Sequence, residues 1–171
     1  MKRLPNIKNV KGFTLIELLV VIGILAILLS IVLIAINPAR QFGQANNTRR
    51  RSDVTQILNA IGAYAADNKG VLPIGIPVGT ASAVFISGST ATPPTGFASA
   101  PVAGYADLCS ELVPNYIPAL PQDPQAYAGT SVTNCSDTTY FTGYTVSQDA
   151  NHRVTVSAPN AENNEIISNT R

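Results

Sequence analysis

The chain opens with a short basic stretch, Met1 to Gly12, and then turns apolar. From Phe13 to Ile36 it reads FTLIELLVVIGILAILLSIVLIAI, with Glu17 the one charge. Leu18 to Ile36 is an uncharged run of 19 residues. As an α-helix rising roughly 1.5 Å per residue it spans about 28 Å, close to the thickness of a bilayer's hydrocarbon core. The pattern predicts a transmembrane helix. A buried core helix and a secretory signal peptide are the alternatives. Against the first, no soluble domain of this size needs so long an unbroken apolar run. Against the second, the run exceeds the roughly 7–15 apolar residues of a signal peptide and ends in Asn37-Pro38 without a small-x-small cleavage site.

Beyond Pro38 the period changes. Val54, Ile57, Leu58, Ile61, Tyr64 and Ala65 recur at helical spacing and form one stripe, which ends near Asn68-Lys69-Gly70. This predicts an amphipathic helix packed on a sheet and, joined to the apolar block, one rod from Phe13 to about Asn68. Gly70 to Ala106 holds no charge and is rich in Gly, Pro, Ser and Thr, so it reads as a loop with a short strand at Val84-Phe85-Ile86. Asp107 to Val113 reads as a short helix stopped by Pro114, and Pro114 to Pro124 as a stiff extended segment. Tyr140 to Val146 and His152 to Ala158 alternate as the two strands of a hairpin turning at Ser147 to Asn151, and Ile166-Ile167 suits an edge strand. The expected class is α+β: a long N-terminal helix, apolar then amphipathic, on a small antiparallel β-sheet.

Composition narrows the function. Among 171 residues, 11 basic and 10 acidic side chains give a net charge of +1, which argues against a strongly basic nucleic-acid binder. Without the leader's Lys2, Arg3, Lys8 and Lys11, acids outnumber bases, and nucleic acid is not expected as the main partner. Two cysteines and one histidine exclude a Cys/His zinc cluster and leave little room for a catalytic triad. No carboxylate pair, phosphate loop or nucleophile–base pair stands out, so neither an enzyme nor a cofactor is expected. The run Arg49-Arg50-Arg51 suits a patch for lipid headgroups, DNA or a neighbour's acids; a solvated helix face is the simpler expectation.

Glu17 is costly where it stands. A carboxylate at the centre of a spanning helix costs about 2.5–3.5 kcal/mol, less near an end, and an acid in such a segment calls for a named partner. The surrounding Lys11-Gly12-Phe13-Thr14-Leu15-Ile16-Glu17-Leu18-Leu19-Val20 resembles the processing site of type IV pilins and type II secretion pseudopilins. The resemblance covers directly about the first 36 residues. It implies that a prepilin peptidase and N-methyltransferase cleaves after Gly12 and methylates the Phe13 amine. It further implies that Glu17 of one subunit pairs with the Phe13 amine of the next as a homo-oligomeric helical filament grows from the inner-membrane assembly machinery. Each charge then offsets the other's desolvation. Glu17→Ala is expected to insert normally and to impair filament growth. The proline many pilins carry about 22 residues into the mature chain is replaced here by Ile34, and Pro38 follows four residues later.

The resemblance also implies an orientation that charge counting leaves tied, since Arg40, Arg49, Arg50 and Arg51 balance the leader. The leader faces the cytoplasm and the C-terminal part lies outside, first on a single-pass precursor in the inner membrane, then in an extracellular or periplasmic filament. In that oxidising setting Cys109 and Cys135 are expected to form a disulfide, the alternative being two buried thiols. Leu120-Pro121-Gln122-Asp123-Pro124 resembles an LP-x-DP stretch of major pseudopilins, though Gln125 and Ala126 stand where Trp-Gly often follows. Asp123, Asp137, Asp149 and Asn151 are weak candidates for calcium, which some major pseudopilins bind, because no Asp-x-Asp-x-Asp loop is present. The expected organisation is a leader (1–12), assembly helix (13–36), amphipathic helix (37–69), variable loop (70–106) and sheet domain (107–171). A pilus-like filament subunit is the leading function; a secretion pseudopilin or a non-polymerising membrane-anchored adhesin or recognition subunit are the alternatives.

Overall fold

The computed structural model describes residues 12–35, 37–78, 83–95, 97 and 104–171. The basic stretch 1–11 and parts of the uncharged segment, 79–82, 96 and 98–103, lie outside the described residues. The chain forms two compact units, Met1–Ala39 and Arg40–Arg171.

The first unit is built on α1 (Leu15–Ala35), 21 residues. Leu15–Ile34 is long and apolar enough to cross a membrane, and the described residues of its unit bury none of it. Ser30 hides its hydroxyl by donating to the Ala26 carbonyl at 2.8 Å, so even the polar position presents little to hydrogen-bond.

The expected single rod is instead two helices. α1 ends at Ala35, Asn37 is not helical, and α2 (Pro38–Asp67, 30 residues) starts on the proline. Proline has no N–H and crowds the carbonyl four residues back, yet its fixed φ suits the first helical position. α2 ends with Lys69 at φ 58° and Gly70 at φ 88°, and the Gly70 N–H reaches back to the Ala65 carbonyl at 2.7 Å. That bond satisfies a carbonyl left open at the helix end.

The second unit packs the α2 stripe on a five-stranded sheet of order β2-β1-β3-β4-β5. The strands are β1 (Val84–Ser87), β2 (Tyr105–Ala106), β3 (Phe141–Gln148), β4 (Val154–Ala158) and β5 (Ile167–Thr170). β1, β3, β4 and β5 pair antiparallel, but β1 and β2 run parallel, so the sheet is mixed rather than antiparallel throughout. Its first two strands come from the uncharged 70–106 segment, so the sheet does not begin at residue 107. β1 stands where the short strand at Val84-Phe85-Ile86 was expected and is one residue longer, whereas the two-residue β2 was not expected.

Val54, Ile57, Leu58 and Ile61 of α2 share a core with Tyr144 and Val146 of β3 and Val156 of β4. The opposite side of β3 meets a second cluster, in which Phe85, Phe97 and Phe141 pack edge-on or tilted with ring centroids 4.9–6.4 Å apart. β3 is therefore covered on both faces. Gly143 permits this: at φ 85°, a Cβ there would lie 2.7 Å from Asp123 and from Phe97. The short helix α3 is tighter than expected, Cys109–Leu112, and His152 sits at φ 62° in the β3–β4 turn rather than opening the strand.

Candidate functional site at the start of the apolar helix

Gly12, Phe13 and Thr14 precede the first turn of α1, outside the helix, and all three are exposed. A Cβ on Gly12 would meet nothing within 4 Å. Packing among the described residues thus gives no reason for a glycine there, and Gly12 and Phe13 lie exposed outside the helix.

Thr14 and Glu17 close the helix start between them. The Thr14 N–H and hydroxyl both donate to Glu17 Oε2 at 2.8 Å, and the Glu17 N–H donates to Thr14 Oγ1 at 3.3 Å. This is a capping box: two backbone donors that a helix leaves unpaired at its N-terminus are satisfied by two side chains. The pattern Thr-x-x-Glu before an apolar run is its sequence signal, legible here but missed above. Phe13, Ile16, Glu17, Val20 and Val21 line one shallow groove along this end of α1. The Glu17 carboxylate thus has local partners in Thr14 but no cation within its unit among the described residues.

The other sequence-derived candidates lie elsewhere. Cys109 and Cys135 are joined by a disulfide that ties α3 to the loop before β3. The calcium candidates are committed singly. Asp123 gives both oxygens to Arg50 at 2.7 and 3.0 Å. Asp137 accepts from the Thr139 N–H and hydroxyl. Asp149 accepts from the Asn151 and Arg153 N–H groups and the Arg153 side chain, closing the turn that leaves Asn151 exposed. Among the described residues no three His, Cys, Asp or Glu side chains gather so as to hold a metal.

In the Arg49-Arg50-Arg51 run the expected solvated face holds for Arg49 and Arg51, which are exposed, but not for Arg50. Each arginine engages a different segment. Arg49 donates to the Gly129 carbonyl at 2.6 Å, and Arg51 pairs with Glu165. Arg50 is fully buried, held by Asp123 and by Asn47 Oδ1 at 3.0 Å, with Glu162 at 3.5 Å. Burial works against its charge, but the Asp123 hydrogen bond and the charges of Asp123 and Glu162 outweigh it and hold the guanidinium above its usual range. Beside it Tyr144 donates to Asp53 at 2.7 Å. Burial pushes the Asp53 carboxyl up, against the pull of that hydrogen bond and of Arg49. A triplet of like charges carries no mark of which member points inward, so this network was not readable from the chain.

Residues 7–33 match the family model of the prokaryotic N-terminal methylation motif. That motif is the prepilin-type signal of type IV pilins and pseudopilins, and the layout of apolar helix, second helix and small mixed sheet is pilin-like. No curated protein and no solved structure matches the chain.

Proposed function

We propose that this chain, which bears a prepilin-type methylation motif at residues 7–33, is a structural subunit of a type IV pilus-like filament. The family the motif marks is structural rather than enzymatic. What carries the reading is that α1 is left uncovered among the described residues of its unit. Sixteen of its Leu, Ile and Val side chains are exposed. Left in water they would cost on the order of 20 kcal/mol or more, beyond the roughly 5–15 kcal/mol that stabilises a whole domain. The helix therefore needs a bilayer before assembly and a bundle of like helices after it.

Cutting between Gly12 and Phe13 frees an amine, which N-methylation leaves able to carry its charge. In the bundle the amine of one subunit meets Glu17 of a neighbour. Glu17 is suited to this because its oxygens already lie at the helix end, turned toward Thr14. A mismatched register would leave both charges in an apolar setting, so the pair selects the register as well as adding attraction. The unit Arg40–Arg171 has its own core and forms the coat. The processing partner is a prepilin peptidase and N-methyltransferase, and the other partners are further copies of the chain.

Mass spectrometry of the mature protein and electron microscopy of sheared filaments test this together. The expected N-terminus is N-methylated Phe13. Glu17→Gln keeps the capping geometry, since glutamine serves equally in a capping box, but removes the charge; it is expected to insert, to be cleaved and to yield few or no filaments. Normal filaments from Glu17→Gln overturn the pairing. A purified protein that still carries residues 1–12, or that begins near Pro38, overturns the whole reading.

A further inference from the structure

The Arg40–Arg171 unit carries a cleft of about 470 Å³, within the roughly 300–1,000 Å³ usual for small-ligand sites. One wall is the segment after β1, where the Thr90 N–H and hydroxyl both donate to the Thr138 carbonyl at 3.0 Å. The facing wall is 130–134, held by the reciprocal Leu120–Val132 bonds at 2.9 and 2.8 Å and by the cross-linked Cys135 just beyond. Between them, buried Gln122 donates to the Phe141 carbonyl at 2.7 Å. The walls are thus fixed by the chain itself, which lowers the ordering cost of binding.

The chemistry of the lining is unusual for this molecule. It contains Thr, Ser, Asn and Gln side chains, the rings of Tyr127, Tyr140 and Phe141, one acid, Asp137, and no Lys, Arg or His. Thr92, Thr130, Ser131 and Thr133 are exposed, and their hydroxyls have no partner among the described residues. Asp137 Oδ1 accepts twice from Thr139, which leaves Oδ2 free to accept. Those bonds, from the Thr139 hydroxyl first and its N–H second, hold the carboxyl below its usual range, so it is an ionised acceptor at neutral pH.

Tyr127 completes the arrangement. Its backbone stands at φ 43°, a conformation that costs a bulky residue about 1–3 kcal/mol. Its hydroxyl donates across the cleft to the Thr92 carbonyl at 2.7 Å, while half of the residue stays exposed. A ring face therefore lies beside an array of unpaired hydroxyls and one carboxylate oxygen.

We propose that this cleft binds a neutral saccharide, with pyranose hydroxyls bonded to Thr130, Thr133 and Asp137 and a C–H face set on Tyr127. A sugar ring offers both surfaces at once, with hydroxyls at the edge and aliphatic hydrogens on the face. An anionic ligand would find no cation here, and a purely apolar one would strip the free hydroxyls of water without repayment. The inference stands apart from polymerisation, since none of these residues belongs to α1.

The test uses the full chain in detergent and saturation-transfer NMR with maltose, cellobiose, lactose and N,N′-diacetylchitobiose one at a time, with sialyllactose and glucose 6-phosphate as charged comparators. Co-sedimentation with cellulose and chitin separates recognition of a polymer surface from binding of a free sugar. At least one neutral sugar is expected to receive saturation. Tyr127→Ala and the isosteric Thr133→Val are each expected to weaken that binding about tenfold, a loss of about 1.4 kcal/mol, with an unchanged circular dichroism spectrum. Thr55→Ala, on α2 and outside the cleft, is expected to bind as the parent does. No transfer to any neutral sugar at about 10 mM, weaker than the weakest useful affinities, overturns the proposal. So does preference for the charged comparators, or binding that both cleft substitutions leave intact.

Discussion

Arg50 and Glu17 are both charges carried on helices, and the chain treats them in opposite ways. Arg50 loses all contact with water, and its charge is answered within the same unit by Asp123 and Glu162 and its remaining donors by Asn47. Glu17 lies on a helix that the described residues of its unit leave uncovered, and its partners there are one threonine's hydroxyl and N–H. The Arg40–Arg171 unit balances its buried charge internally; the apolar helix begins with an acid that, among the described residues, no cation of its unit meets. A charge that folding has neutralised reports on stability. One that folding has left over reports on what the protein meets next.

The contrast breaks most sharply at Arg50. Arg50→Met leaves Asp123 buried without its cation, and the folded unit should lose about 3–5 kcal/mol, read as a shift in the denaturation midpoint of the full chain in detergent. Glu17→Ala should leave that midpoint where it was, within about 0.5 kcal/mol, while filaments disappear. If Arg50→Met proves harmless, the internal balance described for that unit is wrong.

A slightly smaller effect belongs to the cross-link. Cys109 and Cys135 are 26 residues apart, and closing such a loop stabilises by about 3.5 kcal/mol in the chain-entropy view. Cys135→Ser paired with Cys109→Ser should lower the same midpoint by about that much and leave processing at Gly12 untouched. A double mutant that is no longer cleaved would show that the two units are not independent in this respect.

The gentlest probe is alkali. Burial, with hydrogen bonds to Asp107 and Asp53 and the nearness of those charges, pushes the phenols of Tyr140 and Tyr144 far up. In the unfolded chain both ionise near pH 10. Above that pH the native state holds more protons than the unfolded one, so stability, complete below about pH 10, falls as pH rises further. Phenolate absorbance should show these two of the six tyrosines staying protonated until the unit unfolds. Early, fully reversible ionisation of all six would contradict the packing of β3 against α2.

Much of the fold was legible because it is written in long periods. Twenty-four residues from Phe13 to Ile36 with one charge, and a helical stripe from Val54 to Ala65, do not need neighbours to be recognised. The β3–β4 hairpin alternates plainly enough to place, though its turn lies two residues later than expected and Gln148 still belongs to the strand. What escaped is short or contextual. Strand β2 is two residues long and gains its identity only by lying parallel to β1. The cleft beneath Tyr127 brings together segments some forty residues apart that are individually just polar loop. At the candidate site, Gly12, Phe13 and Glu17 stand within six residues of one another, so the chain displays them together; the part Thr14 plays was also on view and was passed over.

The primary structure alone determined the apolar helix and its flanking prepilin-type motif, because these depend on transfer free energy and contiguous residues. Only folding decided which arginine of the triplet would be buried, that Asp123 would be its partner rather than a free oxygen ligand, and that Tyr105–Ala106 would join β1 as a parallel strand. Those outcomes turn on pairs such as Arg50 and Asp123, 73 residues apart. At that distance no local preference selects a partner; the packing of α2 against β3, with Gly143 leaving room for the approach, does.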